Sequence, residues 1–513
     1  MSAALGVLLP GFSGPTLPDW LAARLRDGLA GVCIFATNIE SRAQLRTLTD
    51  SIREANPRAI IAIDEEGGDV TRLYQSVGSP YPGNAILGRI DDVSYTEFVG
   101  RSVGWELRLA GCTLDFAPDV DINSNDDNPV IGVRSFGSDP ALVARHAAAW
   151  VRGLESTGIA ASAKHFPGHG DTEVDSHVAL PVVDLPLATL RARELIPFRA
   201  AIDAGARTIM TSHILLPQVD ATNAATFSRT ILTGLLREEF GFSGVIVSDA
   251  LDMAGASGVH GLAIAAVRAI AAGCDLLCIG TDNTADQLDE IEAQLESAVT
   301  DGRLNAARLT DAATRVAELA AETVADAARI PIPEYVTLLD EPTFHWDRTS
   351  GAFDVSPGVH IGADHHYFQF ETPANVAVGA APWGARAALR GVTVLREGDE
   401  IVLTDGVQPV LIGRGNHRHG WVRTAVDALR LRHPSAVVVD MGWPSADRAY
   451  ADIATFGASR HTANALVALL SAAATTAREG APETAAPDSR APDSRAPDSR
   501  GPDSRAPETA VTT

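Results

Sequence analysis

Ile159-Ala160-Ala161-Ser162-Ala163-Lys164-His165-Phe166-Pro167-Gly168-His169-Gly170-Asp171-Thr172-Glu173-Val174-Asp175-Ser176-His177 changes character part-way along. Its first five residues are small and mostly apolar, as a buried strand requires. The remainder packs a lysine, three histidines and three acids into a loop broken by Pro167, Gly168 and Gly170. No core-forming strand or helix has that composition. So many proton-handling groups together point to chemistry rather than to a solvated surface loop. The stretch reads as a strand that ends at a site.

Short apolar runs of this kind recur at 5–9, 31–35, 59–63, 113–116, 161–163, 208–210, 244–247 and 276–279. Amphipathic stretches separate many of them, among them 18–30, 97–110, 141–156, 186–204 and 260–272. Strand–helix alternation means parallel pairing through crossover helices. Eight such units in about 300 residues predict an α/β (β/α)8 TIM-type barrel, with a doubly wound open sheet as the competing topology. The barrel reading requires reactive residues just after the strands. The sequence has Asp64-Glu65-Glu66-Gly67-Gly68 after the third run, Pro118-Asp119-Val120-Asp121 after the fourth, Lys164-His165 after the fifth, Ser212-His213 after the sixth and Ser248-Asp249 after the seventh.

An alanine-rich helix at 306–328 closes this unit, and Pro331 and Pro333 break the chain after it. The domain reading is a catalytic barrel at 1–330 and a linker at 331–376 that carries some strands of its own. A small α/β sandwich domain follows at 377–472, and a disordered tail at 473–513. The sandwich has strands at 392–395, 410–412 and 436–439 and helices at 421–432 and 461–470. Its segment Gly413-Arg414-Gly415-Asn416-His417-Arg418-His419 is basic, and would either reach into the first unit's face or bind an anion, if it is not simply a solvated loop. The tail repeats Ala-Pro-Asp-Ser-Arg and cannot bury enough apolar surface to offset its ordering entropy.

The chain has 513 residues and a formal net charge of -24, which argues against a nucleic-acid partner. Four cysteines, Cys33, Cys112, Cys274 and Cys278, sit in apolar runs and read as core. There is no run of about 18 apolar residues to span a membrane and no basic-then-apolar leader, so the expectation is a cytoplasmic protein with no membrane partner.

Within the candidate site, Asp175 stands two residues from His177, where a carboxylate can orient the imidazole and support its protonated form. A purely structural Asp–His hydrogen bond is the alternative. Asp249 would stand at the barrel mouth, able to attack an electrophilic carbon or, more plainly, to cap a helix. Asp64, Arg72, Arg134, Lys164 and His165 together suit a sugar pocket, although an arginine there also suits an internal salt bridge. A rival reading takes His165, His169, Asp171, Asp175 and His177 as ligands of a hydrolytic zinc or manganese. The H-E-x-x-H spacing is missing, so the expectation is no metal and no cofactor.

These residues resemble glycoside hydrolase family 3, in its bacterial β-N-acetylglucosaminidase branch. The resemblance is carried by Lys164-His165-Phe166-Pro167-Gly168-His169-Gly170-Asp171-Thr172 with Asp175-Ser176-His177, by Asp64-x-Glu66-Gly67-Gly68 with Arg72, by Arg134-Ser135-Phe136-Gly137, by Thr226-Phe227-Ser228 and by Ser248-Asp249-Ala250-Leu251-Asp252-Met253. It covers about residues 5–325. It implies a retaining enzyme with Asp249 as nucleophile and an Asp175–His177 acid/base dyad, the sugar being held by Asp64, Arg72, Arg134, Lys164 and His165. The implied substrate is a small carbohydrate with terminal β-linked N-acetylglucosamine, peptidoglycan fragments (muropeptides) among them. Relatives with a histidine acid/base also imply an alternative, a phosphorylase using phosphate as acceptor. A sugar-binding protein on an inactive barrel is disfavoured, because Asp249 and His177 are both present. One departure bears on the leaving-group side: Asp69 stands where the family commonly has arginine after Glu-Gly-Gly.

Overall fold

The structure, a computed structural model, describes residues 2–172, 180–258, 261–374 and 377–479. Eight strands, β1 (Leu8–Leu9), β2 (Gly31–Ile34), β3 (Ile60–Ile63), β4 (Leu114–Asp115), β5 (Ala160–Phe166), β6 (Thr208–Thr211), β7 (Val245–Ser248) and β8 (Leu276–Cys278), form one parallel sheet. Neighbours follow chain order from β2 to β8, and β1 returns to pair with β8 at Leu8↔Leu277 and Leu9↔Cys278. Cys33 N donates to Pro10 O at 2.9 Å and Ala30 N to Leu5 O at 3.1 Å, which ties β1 to β2 and nearly closes the ring. A doubly wound sheet would reverse its strand order part-way, and this one does not.

Alternation along each strand explains why the runs are apolar throughout. Ile61 and Ile63 of β3 pack outward with the helices, while Ile60 and Ala62 face an interior cluster with Cys33, Leu114, Phe116, Met210, Val245 and Val247. The interior cluster also contains Val316, Leu319 and Ala320 from the helix Ala306–Arg329, which plugs the ring. All four cysteines are buried and unpaired in disulfides. The helices Val93–Ala110 and Pro140–Glu155 pack backbone to backbone, since a Cβ on Gly153 would meet Glu97 O at 2.1 Å.

A second sheet has the order β11-β10-β12-β13-β14-β9, with β9 (Asp354–Val355), β10 (His365–Phe370), β11 (Thr393–Leu395), β12 (Gln408–Gly413), β13 (Val437–Asp440) and β14 (Ile453–Ala454). Only the β14–β9 pair is antiparallel. The sheet takes in β9 and β10, ahead of residue 377, where the second alternation begins in the sequence. The reason is composition: His365-His366-Tyr367-Phe368-Gln369-Phe370 alternates aromatic and polar groups without the aliphatic β-branched residues that mark a strand. The last helix runs Arg460–Glu479. The rest of the repeat tail lies outside the described residues. No helix among the described residues is long and apolar enough to cross a membrane.

The barrel unit contributes to the core of the second sheet. Ala85 and Ile86, from the helix Asn84–Ile90 after β3, pack in the cluster of Val439, Met441 and Leu466. Ser459 Oγ donates to Tyr81 O at 3.1 Å and His461 N to Ser79 O at 3.1 Å.

Asp275, just before β8, is fully buried and accepts from Ile246 N at 2.9 Å, from Arg308 Nη2 at 2.6 Å and from Arg237. Removing one partner of a buried pair strands the others. Asp275→Ala should cost about 3–5 kcal/mol, read as a lowered chemical-denaturation midpoint with the far-ultraviolet spectrum of the native state retained. An unchanged midpoint would refute this role.

Candidate active site

The loop after β3 is built by Glu65. Its backbone N donates to Asp115 Oδ1, and its Oε2 accepts from Thr71 Oγ1, Arg72 N and Leu73 N, each at 2.9 Å. Gly67 and Gly68 take φ of 72° and 64°, the left-handed region glycine favours. That turn leaves Asp64 and Glu66 at the mouth of the barrel.

Glu66 and Lys164 are each 2% exposed. Glu66 accepts two parallel bonds from Arg134, at 2.9 Å from Nε and 2.7 Å from Nη2, and lies 2.6 Å from Lys164 Nζ. Lys164 Nζ also donates to Asp64 Oδ1 at 2.8 Å, and Arg72 Nη2 stands 3.7 Å from Asp64 Oδ2. Burial alone would raise the Glu66 carboxyl, but Arg134 and Lys164 hold it well below the usual carboxylate range. Burial likewise works against the Lys164 ammonium, and Asp64 and Glu66 outweigh it, keeping the lysine charged. The anticipated internal salt bridge of Arg134 therefore exists, and Arg134 lines the cavity as well.

His165 is held from both sides. Its Nδ1 is 2.7 Å from Asp121 Oδ2 and its Nε2 is 3.3 Å from Arg134 Nη2. Arg134 can only donate, so Nε2 accepts and Nδ1 carries the proton to Asp121. Burial, with Arg134 next in effect, brings the imidazole down to about 4. Asp121 Oδ1 also accepts from His169 N at 2.7 Å. Asp119, beside it, is raised to about 7 by burial and by Asp121. Gly170 is required here, because a Cβ on it would lie 1.6 Å from Ile122 O.

Asp249 follows β7 and is half-buried. Its backbone N donates to Thr211 Oγ1 at 3.3 Å, and its Oδ1 accepts from Ala250 N at 2.8 Å. His213, after β6, does not line the cavity. It stands 2.9 Å from Thr226 Oγ1 and 3.0 Å from Ala250 O, so it braces the Asp249 loop.

One cavity of about 300 Å³ unites Asp64, Arg72, Arg134, Lys164, His165 and Asp249 over an apolar floor of Phe116, Met210 and Cys278. Asp175 and His177 lie outside the described residues. Glu66, Asp119, Asp121 and His169 are further polar groups here that sequence reasoning did not single out as sugar-holding, though all stand just after strands. The ligand set of the metal reading does not assemble among the described residues. Asp171 pairs instead with Arg193 at 3.1 Å and with Ser124 Oγ at 3.1 Å. The acid and imidazole groups that do approach one another are Asp119, Asp121 and His165, where Arg134 stands 3.5 Å from Asp119 and already supplies a positive charge.

The Glycosyl hydrolase family 3 N terminal domain matches residues 19–319, over half of the chain. "Beta-hexosaminidase A" of Pseudoalteromonas piscicida is 37% identical over 344 residues, which is 62% of this chain and 57% of that protein. The chain thus spans somewhat over half the length of that relative. A glycoside hydrolase family 3 beta-N-acetylglucosaminidase from Paenibacillus sp. str. FPU-7 superposes with a TM-score of 0.81 at 28% identity, covering 92% of this chain and 96% of that one. NagZ from Neisseria gonorrhoeae, solved in complex with N-trifluoroacetyl-D-glucosamine, is 33% identical, with a TM-score of 0.51 over 61% of this chain and 97% of that one. A barrel with charged groups gathered at its mouth, matched over most of its length by one family's domain, belongs to glycosyl hydrolase family 3.

Proposed function

We propose that the protein is a retaining β-N-acetylglucosaminidase acting on non-reducing terminal β-linked N-acetylglucosamine. The observation that carries this is the opening of Asp249 into the same polar cavity as Asp64, Lys164, Arg134 and His165. In the first step the Asp249 carboxylate attacks the anomeric carbon while the glycosidic C–O bond breaks. His177, oriented by Asp175, gives its proton to the departing oxygen. In the second step neutral His177 removes a proton from water, which displaces Asp249 and releases the sugar with its β configuration retained.

Neutral His165 fits this reading. An imidazolium beside Arg134 would repel the guanidinium, whereas the neutral ring keeps Arg134 and Asp121 in place and leaves the cavity's cations to meet sugar oxygens. Asp64 accepts from hydroxyl groups, and Arg72 and Lys164 donate. The domain division given above, with the barrel as catalytic unit, follows the same reading. Peptidoglycan fragments met in the cytoplasm are the source of substrate we favour, on the strength of the resemblance to the bacterial branch.

Asp249→Asn should lower turnover of an aryl β-N-acetylglucosaminide by roughly a thousandfold or more. The parent enzyme should release β-configured N-acetylglucosamine equally in phosphate-free and phosphate buffers. Parent-rate cleavage by the variant would end the nucleophile assignment, and a sugar 1-phosphate product would move the enzyme to the phosphorylases. His177→Ala should slow glycosides with poor leaving groups by about 10²–10⁴-fold and nitrophenyl glycosides far less, since good leaving groups need little protonation. The nuclear magnetic resonance signal lost in His165→Gln should titrate near 4. A midpoint at the ordinary imidazole value would contradict the lowering by burial and Arg134 described above.

A further inference from the structure

Alternate strands of a parallel barrel fill its interior in layers of four side chains, and each layer climbs one residue per strand. Cys33 on β2 is level with Ala62 on β3 and Leu114 on β4, so its neighbour in the layer is Phe116, two residues further on. Carrying the register onward, Phe116 is level with Ser162 and Thr208, and two residues past Thr208 stands Met210 on β6. Met210 is level with Val247 and Leu276, and two residues past Leu276 stands Cys278 on β8. Cys33, Phe116, Met210 and Cys278 thus make one complete layer, and all four belong to one interior cluster.

The chain has four cysteines and four methionines, and three of these meet in this layer. Cys33 and Cys278 are 0% and 4% exposed and share a hydrogen bond, and Met210 is the next side chain round from Cys278. Cys278 and Met210 also face the cavity that holds Asp249. Neither thiol has a part in the chemistry proposed above.

The pair does not suit a disulfide. β1 runs between the two strands, with Leu9 level with Cys278 and Cys33 N bonded to Pro10 O. Two strand spacings put the Cα atoms roughly 9 Å apart, past the ~7 Å that a disulfide spans. An ion between the sulfurs meets no such limit, since two metal–sulfur bonds of about 2.3 Å each cross a gap of thiol–thiol hydrogen-bond size without moving the backbone. Two thiols and a thioether, with no oxygen or nitrogen donor in the layer, select a soft cation. The fourth member is the Phe116 ring, so tetrahedral zinc lacks its last ligand. Asp252 and Asp64 act on Cys278 from the mouth and favour positive charge there.

We propose that this layer binds one monovalent soft cation, copper(I) or its chemical relative silver(I), between Cys33 and Cys278 with the Met210 thioether as third donor. The ion takes the place of the proton in the thiol–thiol hydrogen bond. One S–H bond breaks, one sulfur–metal bond forms, the second sulfur lends a lone pair, and the proton leaves to solvent, so the buried layer stays uncharged. Entry is by the cavity, because the helix Ala306–Arg329 plugs the other end of the ring. The site stands independently of the glycosidase reading.

The test titrates the reduced full chain anaerobically with copper(I) against a chromogenic chelator, and with silver(I) in chloride-free buffer, counting bound ions by native mass spectrometry. The parent should hold one ion of either kind against the competitor. Cys33→Ser should bind at least about tenfold more weakly, the least that loss of even an outer partner of a metal costs. Cys112→Ser and Cys274→Ser, which change the other two buried thiols, should match the parent. Parent affinity in Cys33→Ser, or a loss as large in either control, overturns the site. Should Cys33→Ser not fold, X-ray absorption of the copper-loaded parent decides. Sulfur neighbours alone are expected, and a shell of nitrogen or oxygen, as surface histidines would give, overturns the site as well.

Discussion

Four charges at the barrel mouth hold the rest in place. Asp64, Lys164, Glu66 and Arg134 form an alternating chain of acid and base, nearly closed to water at Glu66 and Lys164. Charges so placed are tolerable only when each meets an opposite partner with good hydrogen-bond geometry. The requirement fixes the end of β3, the end of β5 and the turn at 132–134 relative to one another. Loss of any member leaves a buried charge unbalanced, so binding polarity and local structure are one property here.

The segment after β3 works in two directions. Glu65 turns inward and ties its own loop together, while Asp69 turns outward and is met by Ala458. The helix that follows, Asn84–Ile90, then puts Ile86 into the second sheet's core. A loop that lines the pocket is thereby seated on the second unit, as it is on the barrel. Arg72 adds a further tie, donating to Ala377 O at 3.1 Å.

Much of this was legible from residue order alone. The eight apolar runs and the charged groups after them predict a parallel barrel with its reactive end at one face, because β/α alternation admits few closed solutions. Asp249, Lys164 and His165 stand out since strand formation itself calls for no charged or titratable group at those ends. Asp121 and Glu66 stand out as acids after strands, but what they hold is not legible, as their partners lie 44 and 68 residues away. His213 misleads for the converse reason: it follows a strand as a reactive group would, yet it braces a neighbouring loop. β10 falls in the linker that the sequence credits with strands of its own, but its mixed aromatic and polar composition leaves its position unmarked, and the crossing of Asp69 to Ala458 is a contact 389 residues long that no local pattern announces.

The plug formed by Val316, Leu319 and Ala320 has a consequence for how any polymer is handled. With one end of the ring corked and the pit floored by Phe116, Met210 and Cys278, a saccharide chain has no exit to thread through. Whatever enters the pit must leave by the mouth it came in through, so entry and exit share one opening.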